Sequence, residues 1–165
     1  METNDERVPP AVPGAGPTSA PTAAPSGAAA ILRGVRRHLL ARGLASLSEV
    51  GLANGRRADI LAVDRAGQLL IVEIKSSRAD FLSDRKWPEY RPFCDALSFA
   101  VDADFPQELL PDDVGVLVAD AYEALEVRPP PPHPLAPARR KALLLRFATL
   151  AAERLHRLED PEAIP

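Results

Sequence analysis

Apolar side chains recur at helical spacing from Ala28 to about Arg42, where Ile31, Val35, Leu39 and Leu40 alternate with arginines, and Gly43 stands where a C′ glycine ends a helix. Beyond it the period becomes that of strands. Leu44 to Ala53 predicts a strand carrying Glu49, closed by the turn dipeptide Asn54-Gly55. Ala58 to Asp64 and Gln68 to Ser76 are aliphatic, β-rich runs around Arg65-Ala66-Gly67, the pattern of a hairpin. Residues 77–91 are polar and irregularly helical, broken by Pro88 and followed by Pro92. Ala96–Val101 and Val114–Ala119 predict buried strands, and Tyr122–Arg128 an edge strand. A last helix is predicted from Arg139 to Leu158, with Leu143, Phe147, Leu150, Ala151 and Leu155 on one stripe.

The register of the hairpin carries most of the chemistry. A type I turn closed by a left-handed Gly67 pairs Asp64 with Gln68, and counting back from that pair sets Asp59 opposite Glu73. Side chains alternate across a strand, so Lys75 projects from the same face, above Leu61, Val63, Leu69 and Ile71. A four-residue loop would instead place Asp59 opposite Val72, on the other face; the position of the glycine favours the first arrangement. That other face, with Ile60, Ala62, Leu70, Val72 and Ile74, is also apolar, so the sheet is covered on both sides as in α/β proteins. Two carboxylates opposed across a strand pair repel, and burial strengthens the repulsion unless a divalent cation lies between them. The plainer alternative is an ion-paired cluster, Asp59 with Arg57 and Glu73 with Lys75.

Composition narrows the classes. At 165 residues with 46% apolar side chains, the chain suits one domain with a real core. Twelve of its eighteen prolines lie in two clusters, Pro9–Pro25 and Pro129–Pro137. Residues 1–27 are Ala/Pro/Gly/Ser/Thr without large apolar anchors, which predicts a disordered tail that the fold does not need. The second cluster predicts a stiff extended linker over 129–137, between a domain at 28–128 and a C-terminal helix at 138–158 that packs on or extends it. With no secretory h-region and no apolar run near the ~18 residues of a membrane span, the expected location is cytoplasmic, without a membrane partner. Cys94 stands alone, and His38, His133 and His156 are scattered, so neither a disulfide nor a Cys- or His-based metal site is expected. The formal net charge is −3 but unevenly placed: residues 29–91 hold twelve bases against seven acids, and residues 92–128 one base against nine acids. Arg33, Arg36, Arg37, Arg42, Arg56 and Arg57 allow a phosphate-facing side; an ordinary solvated helix face is the alternative for the first four.

A helix, a strand with Glu49, Asp59, and then Glu73-Ile74-Lys75 together resemble the PD-(D/E)XK nuclease superfamily. The longer string is more specific: Gly55-Arg56-Arg57-Ala58-Asp59, Val72-Glu73-Ile74-Lys75-Ser76-Ser77, Asp80-Phe81, Asp84-Arg85-Lys86-Trp87-Pro88-Glu89-Tyr90, Cys94-Asp95, Phe99-Ala100-Val101 and Phe105-Pro106. It closely resembles the MmcB-like family of bacterial DNA-repair proteins over about residues 30–128. The resemblance implies a restriction-endonuclease-like α/β core, a mixed central sheet flanked by helices, and Mg²⁺- or Mn²⁺-dependent hydrolysis of DNA. It implies that Asp59, Glu73 and the Ile74 carbonyl hold the metal, that Lys75 positions the attacking water, and that Glu49 matches the upstream acid approximately. Ala58 replaces the proline of the superfamily motif. Arg56, Arg57, Ser77, Lys86, Trp87 and Tyr90 are the DNA-binding candidates, although the Trp87–Tyr90–Phe93 spacing equally describes a core-facing stripe. DNA is the implied partner, with a homodimer and other repair proteins also admissible. The alternative is a DNA-binding repair accessory of nuclease-like fold without catalysis.

Overall fold

A computed structural model describes residues 26–162. Nearly all of the segment read as a disordered tail lies outside them. Helix α1 (Ala28–Ala41) is followed by strands β1 (Ala45–Gly51), β2 (Arg57–Val63) and β3 (Leu69–Lys75), then the short helix α2 (Arg78–Ser83) and a 3₁₀ segment, Trp87–Phe93. Strands β4 (Ala96–Val101), β5 (Gly115–Ala119) and β6 (Ala124–Arg128) complete one sheet, and α3 (Pro137–Glu159) closes the described chain. The six strands lie in sequence order. β1–β2–β3 is an antiparallel meander, β3–β4–β5 is parallel, and β6 returns antiparallel. The sheet is therefore mixed and flanked by helices on both faces.

Local chemistry explains the boundaries. The N–H groups of Gly43 and Leu44 reach the carbonyls of Leu40 and Leu39, and Gly43 has φ 79°, a Schellman stop that releases the chain into β1. In the hairpin loop Asp64 Oδ1 accepts from the N–H groups of Ala66 and Gln68, Gly67 has φ 77°, and Asp64 N donates to Gln68 O. That loop sets the pairing Ile60 with Val72 and Val63 with Leu69, the register that opposes Asp59 and Glu73.

The two faces have different covers. Ile31, Val35 and Leu39 of α1 pack on Ile60, Ala62, Val72, Ala100 and Leu117. On the other face Leu61, Ile71, Leu97, Phe99 and Val116 meet Tyr90, Phe93, Leu135 and Leu143 from the 3₁₀ segment and the C-terminal region. Phe99 is the aromatic hub, with edge-on contacts to Phe81 at 5.5 Å and Trp87 at 5.7 Å.

The polar stretch 77–91 is shorter in its helix than its spacing suggests. α2 ends after six residues because Asp84 leaves helical geometry, and Pro88 and Pro92 hold the segment after it in 3₁₀ form. The proline-rich run is a strap rather than a spacer: His133 N donates to Asp95 O, Leu135 N to Asp95 Oδ1, and Leu135 is buried. Arg140, in the first turns of α3, grips the same carboxylate with both terminal nitrogens and donates to Gly67 O at 2.8 Å. The apolar stripe of α3 is buried at Leu143 and partly buried at Phe147 and Leu150, whereas Leu155 is exposed, because the helix outruns the core beneath it.

Candidate functional site

Asp59 near the start of β2 and Glu73 near the end of β3 share one face at the end of the central strands. Each carboxylate commits one oxygen to the other's strand: Glu73 Oε1 accepts from Asp59 N at 3.1 Å, and Asp59 Oδ2 accepts from Ile74 N at 2.8 Å. These reciprocal bonds fix both side chains without neutralising them. Burial, and then the charge of Asp59, push Glu73 up to about 8; burial likewise raises Asp59, partly countered by the Ile74 N–H. Glu73 is only 3% exposed. The two acids, with Glu49, Ile74, Lys75 and Asp80, line a cleft of about 470 Å³ that extends under the first turns of α1.

Lys75 is 5% exposed, and its Nζ meets Asp84 Oδ2 at 2.5 Å. Burial would raise the Asp84 carboxyl, yet its bonds from Lys75 and from the Lys86 N–H hold it below its usual range. Asp84 is thus the partner that spacing along the chain does not reveal, nine residues on and beyond the turn of α2. The ion pairs of the plainer alternative, Asp59–Arg57 and Glu73–Lys75, do not form. Arg57 turns away to Glu49 and Lys75 to Asp84, leaving the two opposed acids without a basic partner within ion-pair distance among the described residues.

Glu49 lies in β1 between the pairs Ser48–Ile60 and Val50–Ala58, hence beside Asp59. Its φ of 54° is the one positive value among non-glycine residues described. The strand bends there, and the carboxylate lies against Arg57 rather than between Asp59 and Glu73.

The candidate DNA contacts divide. Arg56 forms a fork on Glu89, at 2.8 and 3.1 Å. Ser77 Oγ accepts from Asp80 N and caps α2, while Asp80 Oδ2 accepts from Ser76 N. Lys86 is exposed and lies outside the residues that line the cleft. Trp87 is half-buried on Phe99 with the Arg91 guanidinium 5.2 Å above its ring, and Tyr90 is buried with Oη donating to Arg57 O at 3.1 Å. Neither ring offers a free face to a base, because both fill the core beside the site. Cys94 is buried, and burial pushes its thiol up to about 12, so it supplies no nucleophile.

Fold and site together define an α/β domain whose central strands present two opposed carboxylates and a neighbouring lysine in one cleft. The family model described as DNA repair protein MmcB-like matches residues 17–162, and the chain belongs to that family. The match runs through the strap and α3, beyond the 30–128 span of the sequence resemblance, in keeping with the grip of Arg140 and Leu135 on Asp95. A solved structure of a protein of unknown function from Silicibacter pomeroyi is similar at 48% sequence identity and a TM-score of 0.82, covering 85% of this chain and 96% of that one. No curated protein matches significantly. No helix among the described residues is long and apolar enough to cross a membrane.

Proposed function

We propose that this protein acts on DNA in repair in the cytoplasm, through a PD-(D/E)XK-type site that hydrolyses phosphodiester bonds with Mg²⁺ or Mn²⁺. The observation that carries the reading is the opposition of half-buried Asp59 and buried Glu73, neither of which has a basic partner within ion-pair distance among the described residues. Each has a second carboxylate oxygen outside the reciprocal backbone bonds, and the main-chain carbonyl of Ile74 comes directly after Glu73. Hard oxygens of this kind suit Mg²⁺, which commonly takes one or two carboxylates and fills its remaining positions with water and substrate phosphate. When bound, the cation would polarise the phosphodiester and offset the charge that develops on it.

The chain's own groups have separate tasks in this reading. Asp59 and Glu73, kept rigid by the β2–β3 ladder, hold the cation; in its absence their repulsion is relieved by a proton on Glu73. Lys75 orients the attacking water, and Asp84 fixes the position of its ammonium group. Lys86, Arg56 and Arg57 are assigned to phosphate contact in this reading, the two arginines by exchanging Glu89 and Glu49 for the substrate.

The second reading is a DNA-binding repair accessory without catalysis. It is favoured by the tight Lys75–Asp84 pair and by the lack, among the described residues, of a third metal-binding side chain grouped with Asp59 and Glu73. Incubating single-stranded, duplex, flap and branched DNAs with Mg²⁺ or Mn²⁺ separates the two. The nuclease reading expects cleavage of at least one substrate, abolished in Glu73→Gln and in Lys75→Met. Binding without cleavage in every case supports the accessory reading.

A further inference from the structure

We propose that the groove between α1 and the start of β1 holds one strand of DNA and leads it to the Asp59–Glu73 cleft, an inference that rests on the nuclease reading above. The groove has a volume of about 410 Å³, an apolar floor that includes Leu32, Leu40 and Leu44, and a rim of Arg33, Arg36 and Arg37. Ala29 and Leu32 line both this groove and the acid cleft, so the two are continuous. From Ala29 to Leu40 the track follows about 16 Å of helix, room for several nucleotides.

Charge selects the occupant. α1 contains no acidic residue, unlike a solvated helix face of mixed sign. Arg42 at its end pairs with Glu126, but Arg33, Arg36 and Arg37 form no ion pair among the described residues. Arg36 only brushes Ser46 O at 3.5 Å, and Arg33 lies 5.7 Å over the exposed Tyr122 ring. Arg33, with Arg36 and Arg37 one turn further on, gathers three arginines that have no carboxylate partner among the described residues, a cluster of charge that suits adjacent phosphates of a backbone. Leu40, 73% exposed, leaves apolar surface open beside them for unpaired bases. Open apolar surface beside the arginines suits a single strand, whose bases are unpaired, over a duplex, whose bases are stacked away.

The test uses the full chain without metal and a short labelled single-stranded oligonucleotide, titrated at several salt concentrations. Arg33→Gln/Arg36→Gln/Arg37→Gln is expected to weaken binding at least tenfold and to lower the slope of log affinity against log salt by about two, since each phosphate contact on a single strand contributes about 0.7. Leu40→Glu, at an exposed position, is expected to weaken binding as well, and Arg157→Gln to leave it unchanged; melting curves verify folding. Wild-type binding with an unchanged affinity and slope in the triple variant would overturn the track. Cleavage by the wild type in Mg²⁺ would then leave the nuclease reading standing. Failure of the wild type to bind or cut any DNA would overturn both.

Discussion

Glu73 is a buried carboxyl opposed by a second acid, and the proposed chemistry turns on it. Its carboxyl is raised from 4.5 to about 8, first by burial and then by Asp59. Between those two values the folded protein holds a proton that the unfolded chain has released, so stability is full below about 4.5 and falls as pH rises through about 8. In metal-free protein, Glu73→Gln should remove most of that decline and leave the variant more stable than wild type at pH 9, by an amount on the order of a few kcal/mol. Thermal melts of both proteins from pH 4 to 9 check this; parallel curves would show that Glu73 titrates normally. Asp84 poses the converse case. Removing it strands a buried ammonium, so Asp84→Ala should destabilise the fold by about 3 kcal/mol, measurable by urea unfolding. An effect near zero would mean that Lys75 finds water or another acid.

At the scale of elements, the hairpin was the most legible part of the sequence, because Gly67 and Asp64 dictate a loop whose length alone sets which acids meet. The α1 stop at Gly43 was equally local. Sequence did not reveal the pairings across space: Lys75 with Asp84, Arg57 with Glu49, and Asp95 with Arg140, forty-five residues apart. No periodicity encodes such partners; they depend on where the packed elements place long side chains. The bend at Glu49 was hidden for a related reason, since an acidic residue in the left-handed region carries no glycine to announce it. Two tests belong here. Asp95 joins the hairpin, the strap and α3 through Leu69 N, Leu135 N and Arg140, so Asp95→Ala should cost about 2–4 kcal/mol and expose α3 to proteolysis. An α3 that stays protected would show that Leu143 and its neighbours suffice. Gly34 lets α1 lie against the β5–β6 turn: a Cβ there would sit 2.1 Å from Asp120 O and 2.5 Å from Glu123 O, backbone atoms that cannot swing away. Gly34→Ala should therefore destabilise by about 2–3 kcal/mol in chemical denaturation, whereas a wild-type midpoint would mean that the helix lifts at little cost.

Across the whole molecule, one sheet is covered by α1 on one face and by the 3₁₀ segment, the proline-rich strap and α3 on the other, with Asp59 and Glu73 at the ends of the central strands. A chain of net charge −3 can still address a polyanion when its charge is uneven: residues 29–91 hold twelve bases against seven acids, and residues 92–128 one base against nine acids. Membership of the MmcB-like family places this arrangement in DNA repair, and the cleft supplies the chemistry proposed for it. The proposed chemistry requires one cation shared by Asp59 and Glu73. Calorimetric titration of Mn²⁺ at pH 8 into wild type, Asp59→Asn and Glu73→Gln tests this most directly. One site with proton release is predicted in the wild type and no measurable binding in either folded variant; wild-type affinity retained in Glu73→Gln would contradict the shared cation.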